Sequence, residues 1–405
     1  MLHEGDVLHA GNNNYLHNIN RCMYMYMYVI LNKLHRYVLL LILHQRQVIW
    51  QKMFKSSSKD HGTLWHLCSL LGRLPSVKDP KKDMNACTDV LFTVLKAHYV
   101  AAACKELGIE SPNSPLPETL PDFRRMAARE RYSFIMKLST QVLERCGVIE
   151  EALIGATVHD IKDGVQNYAR VFCHHATLAL EFTDAWSMGA GPRICRCWKF
   201  MMLHFQSTGH TKYAWEALRQ QFQLVTLPPH LSYQLMWGRF INTRGGIGKN
   251  IPCDLHNEHL NKLFKEIFNN MGANTSEAAI TRAARSVTAL QEVTTNFDKE
   301  TRVPVTSSAH STLDDIKDVN TVVSVIIKKK IFDTQKGRMH TSFKNFSSNP
   351  LHNLNQEKIL HWIASKQKQM IRYKYAVGED NSEASDIESD DDSYEDIETE
   401  ILSFI

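Results

Sequence analysis

The stretch of residues 237–272 reads WGRFINTRGGIGKNIPCDLHNEHLNKLFKEIFNNMG and joins a glycine-rich loop to an amphipathic helix. The glycines of residues 245–248 predict a loop that turns freely, because glycine adopts backbone angles that other residues avoid. Asp254 stands where a helix N-cap is expected. After it, apolar residues recur at three- and four-residue steps, which is typical of a helix with one buried face. Gly272 is expected to end that helix.

The start of this helix carries ionisable side chains of both signs within nine residues: Asp254, His256, Glu258, His259 and Lys262. A Walker A loop is excluded, because Asn250 stands where its hydroxyl residue belongs. A zincin helix is excluded as well, because His256 and His259 are three residues apart rather than four. Asp254 and Glu258 are four apart, so they share one side of the helix if Asp254 lies in its first turn.

That carboxylate pair has two interpretations. Its oxygens are the ligands that Mg²⁺ prefers, so the pair predicts a metal site. Alternatively, Asp254 caps the helix, which stabilises it by about 1 kcal/mol, and Glu258 complements the helix dipole. Both interpretations remain open from the sequence.

The charge distribution favours a polyanionic partner. The formal net charge of the 405 residues is +4, but residues 379–400 hold twelve acids and no base. The preceding chain therefore has 47 bases against 31 acids, a net charge of +16. Such a surplus is typical of proteins that bind DNA or RNA. The candidate binding residues are His259, Asn261, Lys262, Lys328, Lys329, Lys330 and Arg372.

The nine cysteines are odd in number and scattered, which favours a reducing, intracellular compartment, with the nucleus as one location. The C-x-C of Cys195 and Cys197, some twenty residues after Cys173, is a poor zinc motif, and buried apolar cysteines are expected instead. No secretory signal is visible. The apolar run from Tyr37 to Leu43 is far shorter than the roughly 20 residues of a membrane helix, so no membrane partner is expected.

The fold class is predicted to be mainly α: a multi-helix globular body, with a small β-sheet formed by the start of the chain and residues 238–243. Four parts are expected. Residues 1–48 form a degenerate N-terminal segment with Asn and Met-Tyr runs, residues 49–300 a helical domain, and residues 301–378 a basic helical region. The acidic tail, residues 379–405, cannot bury apolar surface and is predicted to be disordered. Oligomeric state is left open.

Five segments carry a resemblance to a known family: SSKDHGTLWHL, VKDPKKDMNACTDVL, NYARVFCHHATLALEFTDAW, TKYAWEALR and WGRFINTRGGIGKNIPCDLHNEHLNKLF. They resemble the uncharacterised domain-of-unknown-function family numbered sixty-five eighty-nine, over roughly Glu4 to Leu290. That family is multicopy and scattered in the manner of mobile elements. The resemblance therefore implies a transposon-derived protein.

The resemblance also implies a catalytic hypothesis. Asp6 matches a family Gly-Asp pair, and Asp254 and Glu258 match its later acidic helix, so these three would be the catalytic and Mg²⁺-binding residues of a transposase-like nuclease. The chain departs from the family where His9 replaces a threonine and where an Asp-Trp-His element before Trp50 is missing.

We therefore expect a decayed catalytic centre with a retained basic nucleic-acid-binding surface. An active Mg²⁺-dependent phosphoryl-transfer enzyme and a helical protein-interaction module are the alternatives.

Overall fold

The computed structural model describes residues 62–74, 83–115, 117–118, 120–147, 163–243, 245–272, 276–301, 315–339, 351 and 354–376. Within these ranges the chain is mainly α-helical, which confirms the predicted fold class. The helices are α1 (Thr63–Leu70), α2 (Met84–Leu107), α3 (Ala128–Cys146), α4 (Gly164–Ser187), α5 (Gly191–Ser207), α6 (Thr211–Thr226), α7 (Pro229–Trp237), α8 (Cys253–Asn270), α9 (Glu277–Glu300), α10 (Asp315–Lys328) and α11 (Gln356–Ala376).

One small sheet is present in the described residues. Strand β1 (Phe240–Ile241) pairs antiparallel with β2 (Ile251–Pro252), in the register Phe240 with Pro252 and Ile241 with Ile251. The strand predicted within residues 238–243 is therefore confirmed. The N-terminal partner predicted for it lies outside the described residues, as does the apolar run from Tyr37 to Leu43.

The chain forms two compact units. The larger unit comprises residues 43–180, 198–222 and 316–405, and the smaller unit comprises residues 1–42, 181–197 and 223–315. Helices α4, α5 and α6 each contribute residues to both units.

The core of the larger unit is built around α2, with side chains from α1, α3, α4 and α10. Val90, Leu91 and Val94 are almost fully buried, as their spacing on one helix face predicts. Helix α2 ends where Gly108 takes a left-handed φ of 68°, the expected glycine terminator. Residues 85–107 are long and apolar enough to cross a membrane, but 61% of an 18-residue apolar window within them is buried in the fold, as in a core helix.

Histidine and cysteine side chains take part in this core. His98 is 7% exposed and its Nδ1 lies 2.8 Å from the Val94 carbonyl oxygen. Burial lowers the pKa of His98 to about 4, the Val94 contact opposing it. The cysteines of the described residues are buried, apart from the half-buried Cys253, so the prediction of small buried apolar side chains is confirmed.

Candidate nucleic-acid interface

In the smaller unit, β1 and β2 present the glycine-rich loop of residues 242–250. Gly245, Gly246 and Gly248 have φ values of 68°, 84° and 74°, which a side chain would disfavour. The amide of Asn242 donates to the Gly246 carbonyl oxygen over 2.8 Å. Most of this loop is exposed, so its backbone is accessible to a ligand.

Asn250 anchors the end of that loop to the C-terminus of α4. Its backbone N–H donates to the Ser187 carbonyl oxygen over 3.1 Å, and its side-chain amide donates to the same oxygen over 2.8 Å. At the other end, the rings of Trp186 and Phe240 pack edge to face with centroids 4.9 Å apart. The loop is thus held at both ends by α4.

Helix α8 begins immediately after β2. Its N-cap is Pro252, without a side-chain cap hydrogen bond, so the prediction that Asp254 is the N-cap is wrong. Strand pairing keeps Pro252 extended, and the Cys253 N–H donates to the Arg239 carbonyl oxygen over 3.1 Å. The helix can therefore start before Asp254, because a backbone carbonyl satisfies one of its first donors.

This start places Asp254 in the first turn, so Asp254 and Glu258 lie on one side of α8, as the metal interpretation requires. The side chain of Asp254 is outside the described part of the structure, and so is Asp6 entirely. Glu258 is half-buried and makes contacts with neighbouring groups. A catalytic and metal-binding role for Asp6, Asp254 and Glu258 therefore stays a prediction.

The other residues predicted on α8 lie on its surface. His259, Asn261 and Lys262 are exposed. Half-buried His256 has a pKa below its usual value, first because burial disfavours its charged form and then because His259 is near. This end of the helix can therefore offer polar contacts, but it is less basic than its sequence suggests.

A denser basic surface lies in the larger unit, at the C-terminal end of α10. Residues 328–338, which we call the lysine turn, expose Lys328, Lys329, Lys330 and Lys336. The first three were predicted as binding residues. Lys330 has a left-handed φ of 49°, the only positive φ of a non-glycine residue in the described chain.

The backbone of the lysine turn closes α10 with a Schellman motif. The Ile331 N–H donates to the Ile326 carbonyl oxygen over 3.3 Å, and the Lys330 N–H donates to the Ile327 carbonyl oxygen over 2.9 Å. Glycine usually occupies the left-handed position of this motif. Lys330 stands there instead, at a conformational cost of about 1–2 kcal/mol.

A buried ion pair fixes the lysine turn to the start of α4. Arg338 donates from Nε and Nη2 to the two carboxylate oxygens of Asp163, over 2.9 and 2.7 Å. Arg338 also donates from Nη1 to the carbonyl oxygens of Lys329 and Lys330, over 3.2 and 3.0 Å. One guanidinium therefore caps the end of α10 while it binds the residue that precedes α4.

The Asp163 carboxylate is fully buried and saturated with donors. Besides Arg338, it accepts from the backbone N–H groups of Val165, Gln166 and Gln335, over 3.2, 3.0 and 2.8 Å. Burial opposes ionisation, but the hydrogen bonds from Arg338, Gln335 and Gln166 outweigh it and hold the pKa of Asp163 below its usual value. Sequence reasoning missed this residue, although an aspartate directly before a helix is an N-cap signal.

Asp333, the acidic residue of the lysine turn, forms an ion pair with a lysine of another helix. Lys105 of α2 lies 2.5 Å from the carboxylate of Asp333. Asp333 and Arg338 thus both have partners, and no described carboxylate pairs with the four exposed lysines. Arg372, the remaining predicted binding residue, lies on α11 with its side chain outside the described part. On the same helix Lys358 and Lys368 are exposed and Lys366 is half-buried.

Residues 42–310, more than half of the chain, match the profile of a family of unknown function, DUF6589. The chain belongs to this family. The resemblance carried by the five sequence segments is therefore confirmed. The DUF6589 match starts after Asp6 and ends before the lysine turn. No curated protein and no solved structure matches the chain.

Proposed function

We propose that this DUF6589 protein binds the phosphate backbone of a nucleic acid through the lysine turn. The observation that carries the proposal is a set of four exposed lysines within residues 328–336 whose neighbouring charges, Asp333 and Arg338, are already paired. Closely spaced exposed lysines release counterions when they meet phosphates, which is the main source of sequence-independent affinity. The body charge of +16 before residue 379 acts in the same direction.

The fixed backbone of the lysine turn favours phosphate binding over the alternative, in which the four lysines are only solvated. Arg338 holds the carbonyl groups of Lys329 and Lys330, and Asp163 holds Arg338. Lysines on a fixed backbone lose less entropy on binding than lysines on a flexible loop. Lysine rather than glycine at position 330 keeps a charge where glycine would relieve strain.

The origin of the protein belongs to the same proposal. Descent from a mobile element would supply a surface for DNA or RNA. Decay of the catalytic centre fits the missing Asp-Trp-His element before Trp50, and Asp6 itself precedes the part of the chain that matches the family. The proposed function is therefore binding without cleavage.

Replacing Lys330 with glycine separates the effect of its charge on binding from the effect of its backbone strain on stability. The free energy of unfolding should be unchanged or raised by up to about 1.5 kcal/mol, because strain of about 1–2 kcal/mol is relieved and glycine costs about 0.5–1 kcal/mol in entropy. Affinity for nucleic acid should nevertheless fall. Combining Lys330→Gly with Lys328→Ala and Lys329→Ala should lower the salt slope by about 2.7 if each lysine contacts one phosphate, at about 0.9 per contact.

The measurement is fluorescence anisotropy of labelled DNA and RNA duplexes over a series of salt concentrations. The control replaces Lys137, Lys199 and Lys265, which are exposed on three other helices, with alanine, giving the same change in net charge. Equal losses of affinity in the two triple variants would contradict the proposal. An affinity that does not change with salt concentration would also contradict it and would favour a protein-interaction module. Mg²⁺-dependent cleavage in the same reactions would favour the enzyme that uses Asp6, Asp254 and Glu258.

Removing the acidic tail, residues 379–405, is expected to strengthen binding. Its twelve acids compete with phosphates for the basic surface of the same chain, an effect that salt screens. The truncated protein should bind a DNA duplex more tightly than the full chain at low salt, and the two affinities should converge as salt rises. Equal affinities at low salt would show that the tail does not occupy the basic surface.

A further inference from the structure

Helix α7 of the smaller unit exposes a row of aromatic rings. His230, Tyr233 and Trp237 are separated by three and four residues, so they lie on one face of the helix. Tyr233 is 64% exposed and Trp237 is 41% exposed, and His230 is exposed as well. The rings of Tyr233 and Trp237 are neighbours, with centroids 6.2 Å apart and planes inclined by 40°. We call these three residues the aromatic row.

The opposite face of α7 holds the aromatic row in place. Leu231 and Leu235 are buried, with 8% and 3% of their surface exposed. The Ser232 hydroxyl donates toward the carbonyl oxygens of Leu224 and Leu227, over 3.1 and 3.2 Å, which ties α7 to the end of α6. The rings therefore stand on a fixed helix, and a ligand that covers them does not have to order the backbone first.

The segment that carries the aromatic row is free of acidic residues. Residues 223–253 contain no Asp or Glu but three bases, Arg239, Arg244 and Lys249. The next acid along the chain is Asp254. Two acids of α4 in the same unit, Glu181 and Asp184, are paired with Arg193 at 2.6 and 2.7 Å. The charge of this segment therefore favours a negatively charged ligand.

Lys249 places a positive charge within reach of the aromatic row. Lys249 is exposed, and its Nζ would lie 3.8 Å from a Cβ atom placed on Gly246, so the ammonium group lies over the glycine-rich loop. The Asn242 amide holds the Gly246 carbonyl oxygen over 2.8 Å. Asn242 follows Trp237 by five residues, which is at most about 18 Å of chain. A single strand a few nucleotides long spans such a distance.

Aromatic rings beside a cationic group match the chemistry of unpaired nucleotides. Every base has a flat π face that stacks on tyrosine or tryptophan, and lysine contacts the phosphates between the bases. In a duplex those faces are already stacked on one another, so only an unpaired strand offers them. A protein partner would use the apolar surface of the same rings but would not require their flat faces.

We propose that the aromatic row and Lys249 form a second nucleic-acid site, which binds unpaired nucleotides of single-stranded DNA or RNA. Tyr233 and Trp237 each stack one base, and Lys249 contacts the phosphate backbone. The inference extends the proposed function from duplex phosphates to single strands. It does not depend on the lysine turn, which belongs to the larger unit, whereas α7 and the glycine-rich loop belong to the smaller one.

The experiment measures binding of the full chain to labelled single-stranded DNA and RNA by fluorescence anisotropy. The oligonucleotides contain only pyrimidines, so that they do not pair with themselves. Tyr233→Leu should weaken binding at least about fivefold, the lower end of the contribution of one stacked base. Tyr233→Phe keeps the ring and should bind as the wild type does. Neither variant should change the affinity for a duplex.

Trp237 supplies a spectroscopic test of the same site. A base stacked on an indole ring quenches its fluorescence, so a single strand should quench the wild-type protein. Trp237→Phe retains a ring for stacking and should keep most of the affinity, but the quenching that comes from Trp237 should disappear. Unchanged quenching in Trp237→Phe would contradict a base stacked at this position.

The matched control is Tyr132→Leu, because Tyr132 is 67% exposed on α3 of the larger unit. It should leave single-strand binding unchanged. Equal losses in Tyr132→Leu and Tyr233→Leu would overturn the inference. So would a Tyr233→Leu protein that binds single strands as the wild type does, and the exposed rings would then be assigned to a protein partner.

The triple variant of the lysine turn separates this inference from the proposed function. If Lys328→Ala, Lys329→Ala and Lys330→Gly together leave duplex binding unchanged while Tyr233→Leu still weakens single-strand binding, only the proposal for the lysine turn fails. If the triple variant loses duplex binding while Tyr233→Leu has no effect on single strands, only the aromatic site fails.

Discussion

Replacing Asp163 with alanine is expected to lower the free energy of unfolding by about 3–5 kcal/mol, because it leaves the Arg338 guanidinium largely buried without its carboxylate. The start of α4 and the end of α10 lose their shared contact at the same time. The denaturant midpoint at neutral pH measures the effect. Loss of the ion pair between Asp163 and Arg338 should also weaken nucleic-acid binding, since the lysine turn is no longer fixed.

The same ion pair predicts a dependence on pH. The pKa of Asp163 is below its usual value in the folded protein, so its contribution to stability is fully present above the unfolded pKa of about 3.9. That contribution is lost as the pH falls from about 4 through the folded pKa. Asp163→Asn should therefore remove part of the loss of stability that the wild type shows as the pH falls below about 4, measured by the denaturant midpoint.

The matched control for both measurements is Asp122→Ala. Asp122 pairs with Arg125 at 3.3 Å, but their side chains are 54% and 90% exposed. An exposed pair of this kind stabilises a protein by about 0–1 kcal/mol. If Asp163→Ala lowered the free energy of unfolding no more than Asp122→Ala does, the Asp163–Arg338 ion pair would not stabilise the contact between α4 and α10 as described.

Replacing Gly191 with alanine is expected to destabilise the smaller unit by about 1–3 kcal/mol. A Cβ atom at Gly191 would lie 2.4 Å from the Met236 carbonyl oxygen and 2.8 Å from Met236 Cγ. Helix α5 begins at Gly191 and α7 ends just before β1, so this close approach sets where the glycine-rich loop starts. The denaturant midpoint measures the cost.

The double variant Gly191→Ala with Met236→Ala identifies the cause. Removing the Met236 side chain relieves its Cγ contact but leaves the backbone oxygen in place, so only partial recovery relative to Met236→Ala alone is expected. Full recovery would mean that the side chain was the obstacle. A Gly191→Ala protein as stable as the wild type would contradict the close approach of α5 and α7.

Local signals predicted the helical elements well. Val90, Leu91 and Val94 have the spacing of one face of α2, and Gly108 and Gly272 follow α2 and α8 in left-handed conformations, as their positions indicate. Ser276 directly precedes α9, and its Oγ accepts from the Ala279 N–H over 3.4 Å, as a serine N-cap does. Such signals act between residues within one turn of each other, so they can be read along the chain.

The start of α8 shows where local reasoning failed. Asp254 is a residue type that favours the N-cap position. The pairing of Ile251 with Ile241 nevertheless keeps the backbone extended as far as Pro252, so the helix begins at Cys253. The partner strand is ten residues away, so the cap preference of Asp254 could not reveal it. A distant backbone contact overrode a side-chain preference.

The sequence by itself determined the helical class, the family and the basic body, because these depend on composition, periodicity and short motifs. Only the tertiary structure decided which charges are neutralised and which remain exposed. It joined Asp163 to Arg338 across 175 positions and His174 to His204 across 30. Contacts over such separations depend on how whole helices pack, and no pattern within a single segment encodes that packing.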